Sequence, residues 1–205
     1  NAVGWYDEKV TKALRLLALL HPEIETDPKA KFAFVWALAV TSNGMKVDKN
    51  FRLAERAYVA FKKTGQMPTD IGEGTAKIAI NKSLKLYNTM LAEHGFEKLQ
   101  AFMTTKTTVK IAVALSGQKI SGENLTTEVF GAAVLGPKIG NGFFMNLYGQ
   151  FGQLTMDRWL MRTWGRWTGT LITENPGQVR AKRNQIKALI KELTPAEKKA
   201  FEDII

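Results

Sequence analysis

The sequence contains no cysteine. This absence excludes disulfide bonds, thiolate zinc sites, cysteine-bound iron–sulfur clusters and a cysteine nucleophile. It fits a reducing compartment, so we expect a cytoplasmic or nucleoid-associated protein. Histidine is also scarce, with two in the chain, and neither an HxxxH pair nor a carboxylate cluster accompanies them. We therefore expect no catalytic metal.

Long apolar runs are missing as well. No stretch approaches the roughly 20 apolar residues that a membrane-spanning helix needs, so no membrane-spanning segment is expected. Internal repeats, low-complexity tracts and long linkers are absent from the sequence too. With 45% hydrophobic and 23% charged residues, the composition is that of a chain with a packed core rather than of a disordered one.

What the chain has in excess is positive charge. Its 205 residues include 29 Lys and Arg against 19 Asp and Glu, which gives a net charge of +10. Such a balance favours a polyanionic partner, either nucleic acid or an anionic membrane surface.

Hydrophobic periodicity predicts an all-α fold, because apolar residues recur with the 3.6-residue period in nearly every segment. The dipeptide Asp27-Pro28 is typical of a helix start, with a capping side chain and a proline at the first helical position. The segment 110–115 is β-branched and could be a strand in isolation, but between helices of this length we predict a helix. We expect one helical unit over residues 1–205, either compact or in two lobes with the active site between them. The predicted helices cover 7–20, 28–41, 48–61, 72–92, 96–103, 110–115, 125–135, 139–148, 158–168, 176–193 and a last helix that ends at 205.

A glycine-bounded turn, Gly136-Pro137-Lys138-Ile139-Gly140, joins two of these helices. Free amides at the entrance of the second helix would bind phosphate through their N–H groups and the helix dipole. The plainer interpretation is an ordinary turn with a surface lysine.

A carboxylate follows the turn at a fixed distance. Asp157 lies 19 residues after Lys138, with an apolar helix and a Gly-rich loop between them. As a helix cap it would be held as the anion, which also suits a general base or an electrostatic catalyst. An out-and-back path would bring the amine and the carboxylate together beside the turn.

This arrangement resembles the helix–hairpin–helix superfamily of DNA glycosylases, the group that contains endonuclease III and the oxoguanine glycosylases. The matching parts are Gly136, Lys138, the apolar helix 143–147 and the segment Thr155-Met156-Asp157-Arg158. An upstream match, Leu38 to Asn43 followed by Asn50, Leu53 and Ala54, extends the resemblance over roughly residues 30–170.

The chain departs from the family pattern at two places. Ala132-Ala133-Val134 replaces the first Leu-Pro-Gly of the hairpin, and Trp159 stands where a histidine often follows the aspartate. Without cysteine, the iron–sulfur version of the family is excluded. The resemblance therefore implies an enzyme without a cofactor, and leaves open only a structural monovalent cation at the hairpin.

The resemblance implies roles for particular residues. Lys138 and Asp157 would be catalytic, and Asn43 would enter the duplex when the base leaves. Asn43 could equally be an ordinary helix C-terminal residue before Gly44. The residues implied in DNA binding are Asn43, Gly136, Gly140, Arg158 and Arg162.

Arg158, Arg162 and Arg166 recur every four residues, a stripe that could follow phosphates or be a solvated helix face. Trp159, Trp164 and Trp167 are expected in the core. Lys182, Arg183 and Lys187 form a further basic surface.

The function implied is removal of a damaged or modified base from double-stranded DNA by a monomeric glycosylase, with AP-lyase activity if Lys138 attacks C1′. DNA is then the expected partner, and no membrane partner is expected. Two alternatives stay open. One is a glycosylase-fold enzyme of viral DNA hypermodification, and the other is a non-catalytic helical DNA-binding protein.

Overall fold

A computed structural model describes residues 5–120, 122–153, 155, 158–170, 184, 185 and 194. Two units divide the chain, residues 1–156 and residues 157–205. Within the described ranges the architecture is all-α, as the periodicity predicted, with a single two-stranded sheet. Its helices are α1 (Trp5–Leu20), α2 (Glu23–Thr26), α3 (Pro28–Thr41), α4 (Val47–Thr64), α5 (Lys77–His94), α6 (Phe96–Thr104), α7 (Val109–Ser116), α8 (Met145–Leu147) and α9 (Arg158–Trp167).

Helix α3 is the centre of the first unit. It begins where the sequence predicted, because the Asp27 side chain accepts a hydrogen bond from the Lys29 amide at 2.8 Å and Pro28 occupies the first turn. From Phe32 to Thr41 every residue is buried. A helix that is apolar all round is surrounded by other elements, and α2, α4, α5 and the helix that starts at Pro137 pack around this one.

The one sheet of the described ranges joins β1 (Lys106–Thr108) and β2 (Glu128–Phe130), which pair antiparallel with Thr107 opposite Val129. The prediction of a helix over 125–135 is therefore wrong. Here the strand is followed by a 3₁₀ helix, Gly131–Leu135. Strand pairing to a segment about 20 residues earlier overrides the local helical pattern, which is typical of short β-branched segments.

The ambiguous segment 110–115 is confirmed as helical in α7, which Thr108 caps by accepting a hydrogen bond from the Ile111 amide. On α5 the side chain of Ile78 is 83% exposed, although the residue is apolar. It precedes the buried Ile80 by two positions, and a two-residue step turns a helix by about 200°. Of the predicted helix 176–193 the structure describes only residues 184 and 185, both helical, and of the predicted last helix and its capping box it describes only residue 194.

No helix in the described part of the chain is both long and apolar enough to cross a membrane.

Candidate DNA-binding hairpin

The glycine turn of the sequence forms a tight reversal between two helices. Gly136 has φ +96° and ψ 159°, a backbone conformation that only glycine adopts without strain. It separates the 3₁₀ helix Gly131–Leu135 from a π-helix, Pro137–Phe144, which continues into α8. We call the segment 131–147 the hairpin. Because π-helical hydrogen bonding is rare and often occurs at functional sites, the segment with Lys138 is a candidate site on local geometry alone.

The two arms of the hairpin touch at Gly140. A Cβ added there would lie 1.6 Å from the carbonyl oxygen of Ala132, so no other residue fits without movement of the backbone. The carbonyl of Ala132 thus brings the two arms of the hairpin into direct contact.

Phe144 anchors the hairpin, because its side chain is fully buried and packs against α3. Its ring lies edge-on to Phe32 at 5.7 Å and to Trp36 at 6.1 Å between centroids. Edge-to-face pairs of this kind contribute about 0.5–1.5 kcal/mol beyond the burial of their area. The helix that carries Lys138 is therefore fixed to the most buried part of the unit.

Both glycines predicted to bind DNA have amides that are already bonded. The Gly136 N–H donates to the Ala133 carbonyl, and the Gly140 N–H donates to the Gly136 carbonyl, each at 2.8 Å. Pro137 has no N–H group, so the first-turn amides without an intrahelical partner are those of Lys138 and Ile139. Gly136 and Gly140 therefore shape the hairpin, and the amides left available to an anion are those of Lys138 and Ile139.

Lys138 itself is half-buried. In the part of the chain that the structure describes, its amine has neither an ion pair nor a hydrogen bond. A half-buried cation beside two first-turn amides forms a site that attracts an anion. Its expected partner Asp157 lies outside the described residues.

Asn146 ties the following loop to the hairpin. Its amide nitrogen donates to the carbonyls of Gln150 at 3.0 Å and Gln153 at 2.7 Å, and its oxygen accepts from the Thr155 hydroxyl at 2.9 Å. The loop 149–155, which leads towards Asp157 along the chain, is thus closed by one side chain. In the sequence Asn146 is only one residue of the apolar helix 143–147, because no local pattern indicates which carbonyls an asparagine side chain will reach.

Asn43 lies in the turn that follows α3. Ser42 ends the helix, Gly44 takes φ +72°, and the Met45 amide closes the turn on the Ser42 carbonyl at 3.2 Å. The Asn43 side chain is half-buried. A position in a tight turn fits both interpretations of this residue.

The arginine stripe falls on α9 in the second unit. Arg162 and Arg166 are exposed, while the side chain of Arg158 lies outside the described ones. The expectation that the tryptophans are core residues is wrong for two of them, because Trp164 is 57% and Trp167 is 80% exposed. Among the residues of α9 whose burial is described, only Gly165 is buried. These residues therefore do not form the buried face that was expected for the tryptophans.

Metal ligands do not cluster in the described residues, where no group of three His, Cys, Asp or Glu side chains could hold an ion. Without cysteine, an iron–sulfur cluster bound by cysteine is impossible.

In comparisons with protein-family models, with curated proteins and with solved structures, nothing matches this chain.

Proposed function

We propose that this protein is a DNA glycosylase that removes a damaged or modified base, with Lys138 as its nucleophile. One observation carries the proposal. Lys138 is half-buried, and its amine has no partner among the described residues. The residue lies in the first turn of the helix Pro137–Phe144, whose free amides follow the Gly136 turn. The combination supports an amine held next to a bound phosphate, as attack on a sugar of the DNA backbone requires.

The partner in this proposal is double-stranded DNA. A net charge of +10 supports it, because lysine and arginine contacts to phosphates supply most of non-specific DNA affinity. The target base must leave the stack to be reached, at a cost of a few kcal/mol that phosphate contacts and a plugging side chain offset. Asn43, in its tight turn, is our candidate for that side chain.

In the proposed reaction the neutral Lys138 amine attacks C1′ of the target nucleotide. The C1′–N bond to the base breaks, the base leaves with the bonding electrons and takes up a proton, and the amine nitrogen loses its proton. Opening of the sugar ring then gives a Schiff base, from which β-elimination cleaves the strand. The Asp157 carboxylate would stabilise the positive charge that builds on the sugar.

Borohydride trapping on a duplex with one abasic site tests the nucleophile. We expect the native chain to form a covalent adduct, and Lys138→Gln to lose it while still binding the duplex. Lys110→Gln, an exposed lysine on α7, is the matched control and should trap normally. Trapping that persists in Lys138→Gln would remove Lys138 from the mechanism. A native chain that binds the duplex without ever being trapped would point to a glycosylase that uses water, or to a binding protein.

The role of Asp157 is tested separately. Asp157→Asn should slow base release by about 10²- to 10⁴-fold, the usual contribution of a positioned acid–base group. Single-turnover release from duplexes that each carry one modified base would measure this and identify the substrate. Asp70→Asn, an exposed aspartate before α5, is the control. Full activity of Asp157→Asn would show that the carboxylate takes no part.

A further inference from the structure

A cavity of about 360 Å³ lies on α4, a helix that carries none of the residues expected in catalysis or DNA binding. Its wall opposite α4 is the segment before α5, which contributes Glu73. The cavity is lined by Asp48, Lys49, Arg52, Leu53, Arg56 and Glu73.

The charges of this cavity are unevenly matched. Lys49 and Glu73 form a salt bridge of 2.7 Å across it. Arg52 and Arg56 lie one turn apart and therefore project on the same side of α4. Both are exposed, and within the described ranges neither guanidinium forms a hydrogen bond or an ion pair.

Arg56 nevertheless acts on the opposite wall. The pKa of Glu73 is lowered, mainly by the hydrogen bond and the charge of Lys49 and to a smaller extent by the charge of Arg56. Two carboxylates line the cavity, Asp48 and Glu73. Glu73, which faces Arg56 from the opposite wall, is a group that an incoming anion would have to displace or tolerate.

The wall that carries Glu73 is held in place. Ile71 is buried, and the Gly72 amide donates to the Asn81 side-chain oxygen at 2.7 Å. A Cβ at Gly72 would lie 2.5 Å from the Lys77 carbonyl oxygen, so this wall packs directly on the first turn of α5. The floor is the buried Leu53. The cavity is therefore built on fixed backbone, although its arginines are solvated.

We propose that this cavity binds phosphate groups of a DNA strand through Arg52 and Arg56. Two planar guanidinium groups without partners, side by side on one helix, suit bidentate recognition of phosphate oxygens. The proposal depends on the proposed function only for the identity of the polyanion. It needs no chemistry at Lys138, so the two can fail separately.

Undamaged duplex DNA is the probe, and fluorescence anisotropy between 50 and 200 mM salt, a range over which phosphate contacts dominate affinity, is the measurement. The double variant Arg52→Gln/Arg56→Gln should bind more weakly. Its plot of log affinity against log salt should be shallower by about 1.8, since each phosphate contact contributes about 0.9. Glu73→Gln should bind more tightly than the native chain, because it removes the carboxylate that faces the phosphates.

Charge-matched variants serve as controls. Lys29→Gln/Lys85→Gln removes two exposed cations from α3 and α5, and Glu97→Gln removes an exposed carboxylate from α6. If the arginine pair weakens binding no more than the lysine pair, or if Glu73→Gln gains no more than Glu97→Gln, only overall charge matters and the proposal fails.

Calorimetry with inorganic pyrophosphate tests whether the cavity binds a small free phosphate compound instead of the phosphates of a DNA strand. Pyrophosphate binding that depends on both arginines, together with DNA binding that does not, would overturn DNA as the occupant. Borohydride trapping of the same variants on abasic duplex at saturating protein reports on Lys138 alone. We expect the arginine variants to be trapped as the native chain is.

Discussion

Gly140 sits where the two arms of the hairpin cross, and the space for a side chain there is already filled by the carbonyl of Ala132. Gly140→Ala should therefore lower the free energy of unfolding by about 1–3 kcal/mol, the usual cost of overpacking. Urea unfolding would measure it. Gly152→Ala is the matched control, because an added Cβ there meets nothing within 4 Å. Equal stability of the two variants would mean that the arms can separate freely.

At Glu23, one carboxylate joins α2 to α4. It accepts hydrogen bonds from Lys62 and from the Tyr58 hydroxyl. These interactions, with the Lys62 hydrogen bond the largest cause, lower its pKa from 4.5 to about 2. Burial and the same carboxylate raise the pKa of Tyr58.

The sign of the resulting pH dependence follows from that lowered pKa. Glu23 holds its proton more tightly in the unfolded chain, so its contribution to stability is complete above pH 4.5 and is lost as the pH falls towards about 2. Melting temperatures measured between pH 2 and 6 should be higher for the native chain than for Glu23→Gln at pH 6, and this difference should shrink as the pH falls towards 2. Glu25→Gln, an exposed neighbour on α2, is the control. A difference in melting temperature between the native chain and Glu23→Gln that stays the same at every pH would contradict the ion-pair interpretation.

Among the elements, the loop 149–155 depends on one side chain for its conformation. Asn146→Ala removes three hydrogen bonds at once. Each is worth about 0.5–1.5 kcal/mol net, and partial solvent access reduces the sum, so we expect a loss of about 1–3 kcal/mol. Limited proteolysis should also cut the loop faster. Gln150→Ala keeps the carbonyl that Asn146 binds and should resist as the native chain does. Unchanged cleavage of Asn146→Ala would show that the loop is held by other means.

The hairpin and α3 form one packing unit through aromatic contacts of Phe144. This explains why the segment 139–148 was predicted correctly as helical but not as π-helical. Apolar spacing reports that a face is buried, but it does not distinguish the i→i+5 hydrogen bonds of a π-helix from the i→i+4 bonds of an α-helix.

At the scale of the whole molecule, the buried core that the described residues form lies in the first unit. All buried hydrophobic residues of the described ranges lie between Leu17 and Met145. A fragment of residues 1–156 should therefore fold by itself, with a helical circular-dichroism spectrum and a cooperative thermal transition. Loss of the cooperative transition would show that residues 157–205 complete the core. The full-length chain, measured at the same concentration, is the reference.

The sequence by itself determined the all-α class, the start of α3 at Asp27-Pro28, the helicity of α7 and the excess of positive charge. These depend on capping, periodicity and composition, which act within a few residues or are simple sums. Tertiary structure decided the rest: the pairing of β1 with β2, the outward direction of Ile78, the three bonds of Asn146, and the cavity between Arg56 and Glu73. Each of these features either joins residues that are distant along the chain or depends on which helix face a neighbouring element covers. A local sequence pattern contains no information about distant contacts or neighbouring elements.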